Sequence, residues 1–548
     1  MNPTVNKTTL ALLGLFVLAA GALFLSMNDL APSQSSADAG AVVESQDDPV
    51  AALSRQLVTD SPYWSDPANV GLSYPPGTVS GLLTFRGNPS RTFYGTGPVP
   101  TTTPTQAWRY PKTGGLCGTS DDGSGATTWC GTGWTGQPAA FEREGKTWLV
   151  FGAYDYGVHF VDALTGSDII PPFKTGDIIK GSVTIDPDGF PLVYTGSRDN
   201  YLRVLSFDGD KPKELWKLGA DAVSPVMWNN DWDSSPLVID DYLFEGGENS
   251  QFHIVKLNRS YDANGEVQVD PELVFHTPGW DAKVLDDWGG DQMSIENSPT
   301  IIKDTVYFAN SGGLVQGWDI SGLREGTDPH RVFRFWTGDD TDATIVADEA
   351  GFLYVGSEYE KGNARSKEVG QMMKLDPTKP DDPIVWSIKD QKNMPSGVWG
   401  TPALYQDTVV FDTNGGEILG VDKMTGAVRW RKQLPGPTWQ SPVVVDNVLL
   451  IGDCSGTMHA YDMSDTAVDP PALWDVKIGG CIESTPAVWN GRIYFGTRDG
   501  GMHALSATTG GAVPAEPVPS ESVSSESASS ESVPMESVPT ESVPASNN

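Results

Sequence analysis

Short apolar segments alternate with turn residues through most of the chain. The clearest unit begins at Gly400 and reads GTPALYQDTVVFDTNGGEILGVDKMTGAVRW. Its apolar stretches are PALY, TVVF, EILGVD and a last one that carries Trp430, with Gly and Thr-Gly turns between them. Four short strands joined by tight turns form one antiparallel sheet. The pattern therefore predicts a four-stranded β unit.

The same unit recurs along the chain with a repeat of roughly 40 to 60 residues, which is typical of propellers and solenoids. Eight first strands begin the copies at 136–173, 181–216, 234–275, 297–335, 342–386, 400–430, 440–474 and 484–505. The last copy lacks a fourth strand, and TPTQAWRY, which precedes the first copy, supplies one. Such a closure removes the open sheet edges. The sequence thus predicts an all-β, eight-bladed propeller of four-stranded antiparallel blades, closed by an N-terminal strand.

An aromatic residue recurs in each fourth strand. The series is Trp108, Phe173, Trp216, Phe275, Phe335, Trp386, Trp430 and Trp474. We expect the tryptophans among them, Trp108, Trp216, Trp386, Trp430 and Trp474, to pack between blades. His459 and His503 occupy equivalent third-strand positions, and their recurrence indicates packing.

Residues 10–27 form an uncharged apolar run, long enough to span a bilayer as a helix. Lys7 precedes the run and acidic residues follow it, so the positive-inside rule places residues 1–9 in the cytoplasm and the rest outside. The sequence predicts an uncleaved transmembrane anchor at the cell membrane, and a cleaved signal peptide is the alternative. A flexible linker (28–60), a lead-in segment (61–104), the propeller (105–511) and a disordered Ser/Glu/Pro/Val-rich tail (512–548) follow.

The chain carries a formal net charge of −35, from 36 basic and 71 acidic residues. A surface of this charge repels phosphates, which excludes nucleic acid as a partner. The four cysteines, in an exported chain, predict disulfides. Cys117 and Cys130 enclose a Gly/Ser/Thr-rich loop, and Cys454 and Cys481 lie in turns of adjacent blades that open on one face. We expect these two local bridges, with crossed pairings as the alternative.

Acidic residues crowd the connections that precede three first strands. Because all fourth-to-first-strand connections emerge on one propeller face, these carboxylates can converge near one mouth of the channel. Carboxylate oxygens suit calcium, whereas turn capping is the structural alternative. The candidate ligands are Asp231, Asp233, Asp286, Asp287, Asp291, Glu296, Asp339, Asp340 and Asp342.

The repeats VDALTG (161–166) and VDKMTGAVRW (421–430), with the lead-in FRGNPSRTFYGTGPVP (85–100), resemble the pyrroloquinoline-quinone-like repeat of quinoprotein-type propellers. That family includes quinone-dependent alcohol and sugar dehydrogenases and the envelope assembly scaffold BamB. The resemblance implies the propeller fold and either of two functions. The alcohol dehydrogenases clamp their quinone with adjacent disulfide-linked cysteines, and this chain has no Cys-Cys dipeptide.

These observations favour a membrane-anchored, extracytoplasmic propeller that acts as a binding or scaffolding module, with an envelope protein or glycan as its partner. No catalytic motif is evident, and no cofactor is expected apart from calcium. The alternative is a quinone- or calcium-dependent oxidoreductase acting on alcohols or sugars, a PQQ-type dehydrogenase.

Overall fold

The computed structural model describes residues 61–74, 79–121, 125–133, 136–392 and 394–507. It confirms the predicted propeller: eight four-stranded antiparallel blades are present in this part of the chain. The predicted anchor (10–27), linker (28–60) and tail (512–548) lie outside the described residues. Among the described residues, no helix has the length and apolar character needed to cross a membrane.

The first and second strands of the blades are short and apolar, and most of their residues are buried. Strands buried on both faces read as continuous apolar runs. The first strands of blades 1 to 8 are Ala139–Arg143, Thr184–Ile185, Leu237–Ile239, Thr300–Ile302, Val346–Ala347, Ala403–Tyr405, Val443–Val445 and Ala487–Trp489. The second strands are Lys146–Gly152, Leu192–Thr195, Tyr242–Gly246, Thr305–Phe308, Leu353–Gly356, Thr408–Asp412, Val448–Gly452 and Arg492–Thr497.

The third strands are also largely buried, whereas the fourth strands alternate between exposed and covered residues. The third strands are Gly157–Asp162, Tyr201–Ser206, Gln251–Lys256, Leu314–Asp319, Met372–Leu375, Glu417–Asp422, Thr457–Asp462 and Gly501–Ser506. The fourth strands are Ser167–Lys174, Lys213–Gly219, Glu272–Pro278, His330–Trp336, Ile384–Ile388, Val428–Gln433, Ala472–Lys477 and, for blade 8, Thr105–Tyr110.

Blade 8 is closed by the N-terminal strand, as the sequence predicts. Thr105–Tyr110 pairs antiparallel with Gly501–Ser506, and Trp108 lies opposite Ala504. The lead-in segment also joins the sheets, because Gly81–Leu82 adds an antiparallel strand to blade 1 and Gly95–Thr96 adds a parallel one to blade 8. The lead-in is therefore part of the propeller rather than a separate segment before it.

The remaining elements are small. Two-stranded ribbons join Cys117–Asp121 to Ala126–Cys130, Ser260–Tyr261 to Val267–Gln268, and Glu358–Tyr359 to Ser396–Gly397. The α-helices are Ala282–Trp288 and Ala364–Val369, and the 3₁₀ helices are Pro67–Asn69, Ala220–Ala222 and Leu323–Glu325.

A series of hydrogen bonds runs most of the way round the axis, two residues before the first strands of blades 1 to 7. There the backbone N–H of one blade donates to the side-chain hydroxyl at the equivalent position of the next blade. Six consecutive links of 2.8–3.1 Å connect Gln137, Ser182, Ser235, Ser298, Thr344, Thr401 and Ser441. The repeated Ser or Thr thus satisfies buried backbone donors that no sheet ladder reaches.

The lead-in places two fully buried arginines in the channel. They lie at the level of the residue that follows each of these hydroxyl positions in the sequence. Arg86 donates to the carbonyls of Pro402 (2.8 Å) and Pro442 (3.0 Å), and Arg91 donates to that of Pro299 (2.6 Å). Burial lowers the pKa of Arg91 to about 10, which leaves it charged at neutral pH. Because each arginine bridges first-strand connections, the segment ties several blades together from inside.

Tryptophans of the fourth strands lie against a turn of the following blade. Trp108 donates its indole N–H to the carbonyl of Ala163 (3.0 Å), and Trp386 donates to that of Lys423 (3.2 Å). Trp474 donates to Pro100 of the lead-in (2.8 Å). Trp430 is buried in a core cluster that spans neighbouring blades, and Trp216 packs against another such cluster.

Candidate functional site

A cavity of about 290 Å³ opens on the face where the fourth-to-first-strand connections and the second-to-third-strand turns emerge. We call it the axial cavity. Six of its lining residues share one place in the repeat, four residues before the first strand: Lys180, Glu296, Asp342, Trp399, Trp439 and Glu483. Asp233 holds the same place in blade 3. The fold thus gathers residues that lie far apart in sequence into one ring.

The same repeat position identifies cavity residues that acidic runs do not mark. Lys180, Trp399, Trp439 and Glu483 stand in connections that are not conspicuously acidic. Aligning the eight copies on their first strands finds these four residues, since position alone decides which side chain faces the axis.

Aromatic rings form much of the cavity wall. The ring centroids of Trp399 and Trp439 lie 5.7 Å apart, with 30° between their planes. Trp129 faces Tyr154 edge-on at 5.7 Å, and the Arg498 guanidinium lies 4.9 Å above the Trp129 ring. The indole nitrogens of Trp129 and Trp399 are buried and have no hydrogen-bond acceptor among the described residues. The cavity therefore offers flat apolar surfaces to a ligand.

The disulfide bonds stand next to this cavity, and both predicted pairings are confirmed. Cys117–Cys130 joins the ends of the ribbon that carries Trp129. Cys454–Cys481 joins blade 7 to the connection that leads into blade 8, and its sulfurs lie within 4.8 Å of the Glu483 carboxyl. Each bridge thus holds a cavity-lining residue in place.

A first group of carboxyls is compensated by cations. Oxygens of Asp233, Glu248 and Glu296 lie within 4.8 Å of one another. The Lys180 ammonium bonds Asp233, and Arg198 Nε lies 2.9 Å from Asp231 Oδ2. Burial opposes ionisation of Asp233, but Lys180 and Arg198 outweigh it and lower its pKa.

The pKa values of the carboxyls next to Asp233 shift in the opposite direction. Burial and the negative charge of Asp233 raise the pKa of Asp231 to about 7. Burial also raises the pKa of Glu248 well above its ordinary value, with Glu296 adding to the effect. The group as a whole therefore holds protons at neutral pH. Two cations cannot neutralise all of these carboxyls, so some of the carboxyls stay protonated.

A second group has no such compensation. Oxygens of Asp340, Asp342 and Glu358 lie within 4.8 Å of one another. Burial raises the pKa of all three well above the ordinary range, and neighbouring carboxyls raise each further. The positive charge of Lys180 lowers the pKa of Asp342, but it is the weakest of the influences on that pKa. We call these three residues the 340–358 triad.

The other calcium candidates lie elsewhere. Asp286 and Asp287 are on the helix Ala282–Trp288, where Asp287 pairs with Lys283 at 2.6 Å, and Asp291 is exposed just after it. Asp339 is fully buried, but its carboxylate accepts the backbone N–H groups of 361 and 362 at 3.0 and 2.9 Å. The fold thus brings Asp231, Asp233, Glu296, Asp340 and Asp342 to the axial face and uses Asp339 to hold a loop.

The quinone that the resemblance implies does not fit these residues. Pyrroloquinoline quinone carries three carboxylates, whereas the cavity is bordered by two groups of three carboxyls and by Glu483. Of the two cations in its wall, Lys180 is bonded to Asp233 and Arg498 lies 3.6 Å from Glu483. A trianion would therefore find both cations of this wall already paired with carboxyl groups.

Comparison with protein-family models agrees with the repeat pattern over part of the chain. Residues 294–510 match the family model described as outer membrane protein assembly factor BamB, which confirms the resemblance over that part of the chain. Among solved structures, the computationally designed Ika8 protein is 13% identical with a TM-score of 0.46, covering 68% of this chain and 95% of its own. BamB from Moraxella catarrhalis is 13% identical with a TM-score of 0.35, covering 74% of this chain and 100% of its own. No curated protein matches the chain.

Proposed function

We propose that this chain is a binding or scaffolding module of the cell envelope, and that its partner, a protein or a glycan, inserts a group into the axial cavity. One observation carries the proposal: the rings of Trp399 and Trp439 lie 5.7 Å apart in the wall of one open cavity, with Trp129 in the same wall. Burial of apolar surface contributes roughly 25 cal/mol per Å². A ligand with a flat apolar face gains that free energy when it enters the cavity.

Three further observations support an envelope location. The apolar run 10–27 would anchor the chain with its propeller outside the cytoplasm. Disulfide bonds persist in oxidising compartments, and all four cysteines of this chain are paired. The matching family is described as an outer membrane assembly factor, which acts at an envelope.

Site-specific photocrosslinking in intact cells tests the proposal. A photoreactive phenylalanine analogue at Trp439, in the cavity wall, should capture a defined envelope component. The matched control carries the same analogue at Tyr261, which is 53% exposed on a peripheral ribbon. Purified full-length chain should also bind the captured protein or glycan, and Trp399→Ala should weaken that binding at least tenfold.

Two results would contradict the proposal. One is equal capture from Trp439 and Tyr261, since a surface contact rather than the cavity would then hold the partner. The other is turnover of alcohols or sugars by the purified chain, which would favour the oxidoreductase instead.

A further inference from the structure

We propose that the group which enters the axial cavity is an arginine side chain of a protein partner. It would lie against the Trp399–Trp439 pair and bond the carboxyls of Glu296 and Asp342. The inference rests on the proposed function, because it names the chemistry of the inserted group. It follows from a comparison of two parts of the cavity wall that are built from the same kinds of residue.

The first part of the wall holds a guanidinium of the chain itself. The Arg498 guanidinium lies 4.9 Å from the centre of the Trp129 ring and 5.0 Å from that of Tyr154. Nη1 of Arg498 also lies 3.6 Å from Oε2 of Glu483. Aromatic faces attract cations, and arginine is the commoner partner in such contacts. This part of the wall therefore shows an arginine held by two rings and a carboxyl.

The second part of the wall offers aromatic faces of the same kind. Trp399 and Trp439 stand in the connections that lead into blades 6 and 7, and both are half-buried where they line the cavity. Their ring centroids lie 5.7 Å apart, with 30° between the planes. Among the described residues, the cation that stacks on rings of this cavity from within its lining is Arg498, and it stacks on Trp129 and Tyr154.

Carboxyls flank this tryptophan pair. Asp342 holds the same place in the repeat as Trp399, one blade earlier, and Glu296 holds it two blades earlier. Glu296 accepts the hydroxyl of Ser294 at 3.0 Å, and Asp342 is hydrogen-bonded to Asp340. Within the described part of the chain, neither carboxyl forms an ion pair, whereas Lys180 and Arg498 are paired elsewhere. The aromatic faces and carboxyls of an arginine site thus stand together.

The size and charge of the cavity favour an arginine over a sugar. Its volume of about 290 Å³ lies at the lower end of the range for ligand pockets, about 300–1,000 Å³, which suits one side chain better than an extended glycan. A neutral sugar brings no charge to Glu296 and Asp342. A guanidinium is planar, stacks on aromatic rings and bonds carboxylates through two parallel N–H groups, whereas an ammonium is a point charge.

Cation binding would also change the protonation of these carboxyls. Burial, aided by the charge of Asp233, raises the pKa of Glu296, and burial with Asp340 raises that of Asp342. A nearby cation favours the ionised carboxylate, so an entering guanidinium releases protons and binds more tightly as pH rises. The charged groups that interact with these two carboxyls are Lys180, Arg198, Asp233, Glu248, Asp340, Glu358 and Glu360.

Calorimetric titration of the purified full-length chain with acetyl-arginine amide tests the inference. Acetyl-citrulline amide is the matched control ligand, because its urea group has the planar shape of the guanidinium without the charge. The arginine probe should bind at least tenfold more tightly than the citrulline probe. Its affinity should rise as pH increases from mildly acidic to neutral, and the affinity of the citrulline probe should not.

Variants of the cavity locate the binding. Glu296→Gln combined with Asp342→Asn should weaken binding of the arginine probe at least tenfold, and Trp439→Leu, which keeps an apolar wall without the aromatic face, at least threefold. The matched control is Asp286→Asn combined with Asp287→Asn, which removes two exposed acids of a helix and should leave the titration unchanged. Circular dichroism and unfolding midpoints verify that each variant folds. If a cavity variant does not fold, the comparison of the two probes on the unaltered chain decides alone.

Equal affinity for the two probes would overturn the inference, and so would arginine binding that survives the loss of both cavity carboxyls. Binding of N-acetylglucosamine in place of the arginine probe would also overturn it, in favour of a glycan. These outcomes leave the proposed function standing, because capture at Trp439 is scored in cells without either probe. Arginine-selective binding together with equal capture from Trp439 and Tyr261 would instead contradict the proposed function and leave the preference of the cavity for arginine.

Discussion

The backbone N–H of Thr344 donates to Oγ1 of Thr401 at 3.0 Å, across the boundary between blades 5 and 6. This is one of the six hydrogen bonds that link blades 1 to 7 round the axis. Thr401→Val keeps the shape of the side chain but leaves a buried N–H without an acceptor. We expect the free energy of unfolding to fall by about 1–3 kcal/mol, measured by urea denaturation.

Blade 8 offers the matched control for that change. Thr485 holds the equivalent position, and its hydroxyl is buried without a hydrogen-bond partner among the described residues. Thr485→Val should therefore be neutral or slightly stabilising. If the free energy of unfolding fell equally in the two variants, the packing of valine rather than the lost hydrogen bond would explain the decrease.

A glycine permits the contact between blades 5 and 6. Gly426 has φ +72°, and a Cβ there would lie 2.7 Å from Cγ of Trp386. Gly426→Ala should lower stability by about 1–3 kcal/mol through backbone strain, with further loss from the displaced indole. Thermal unfolding followed by fluorescence measures it. Gly415→Ala in the same blade is the control, because its Cβ would meet only one atom, at 3.9 Å.

A buried histidine makes the fold sensitive to acid. Burial, aided by His276, lowers the pKa of His253 from 6.5 to about 3. The pKa of His253 is lower in the folded state than in the unfolded state. Its contribution to the free energy of unfolding is therefore fully present above pH 6.5 and is lost as pH falls towards 3. The slope within this window approaches about 1.4 kcal/mol per pH unit.

His253→Phe should flatten the dependence of stability on pH in the acid range below 6.5, measured by denaturation at several pH values. His330→Gln changes an exposed histidine and should leave the slope as it is. An unchanged slope in His253→Phe would show that other groups cause the acid sensitivity.

The bridge between Cys454 and Cys481 joins residues 27 positions apart in the sequence. On the loop-entropy model, its removal costs about 3–4 kcal/mol. The double variant Cys454→Ser, Cys481→Ser should unfold at lower denaturant concentration and lose partner binding at the cavity, because Glu483 stands beside the bridge. If the double variant bound the partner as tightly as the unaltered chain, the bridge would not be needed to hold the cavity in its binding form.

The repeat pattern predicted several features at residue level. It identified the eight first strands, the missing fourth strand of the last copy and Trp108 as its replacement, because strand periodicity and turn residues are local properties of a chain. The sequence favoured the two local disulfide pairings that the structure shows, with crossed pairings as the alternative. The pattern also predicted that acidic connections of different blades share one face, and Asp233, Glu296 and Asp342 occupy the same repeat position there.

Other features depended on neighbours that only the closed ring supplies. Asp339 and Asp340 are adjacent and both acidic, yet Asp339 holds a loop through backbone N–H groups while Asp340 faces Asp342 and Glu358. Glu358 itself lies in the long second-to-third-strand connection of blade 5, away from the acidic runs that precede the first strands.

The sequence by itself determined the fold class, the number of blades, the closure and the convergence of acidic connections on one face, because alternating burial and turn chemistry are encoded within each repeat. Tertiary structure decided which carboxyls keep a cation and which are left with one another. It also decided that Arg86 and Arg91 of the lead-in would fill the channel. The physical reason is that charge compensation and desolvation depend on distances between side chains of different blades, and those distances exist only once the ring has closed.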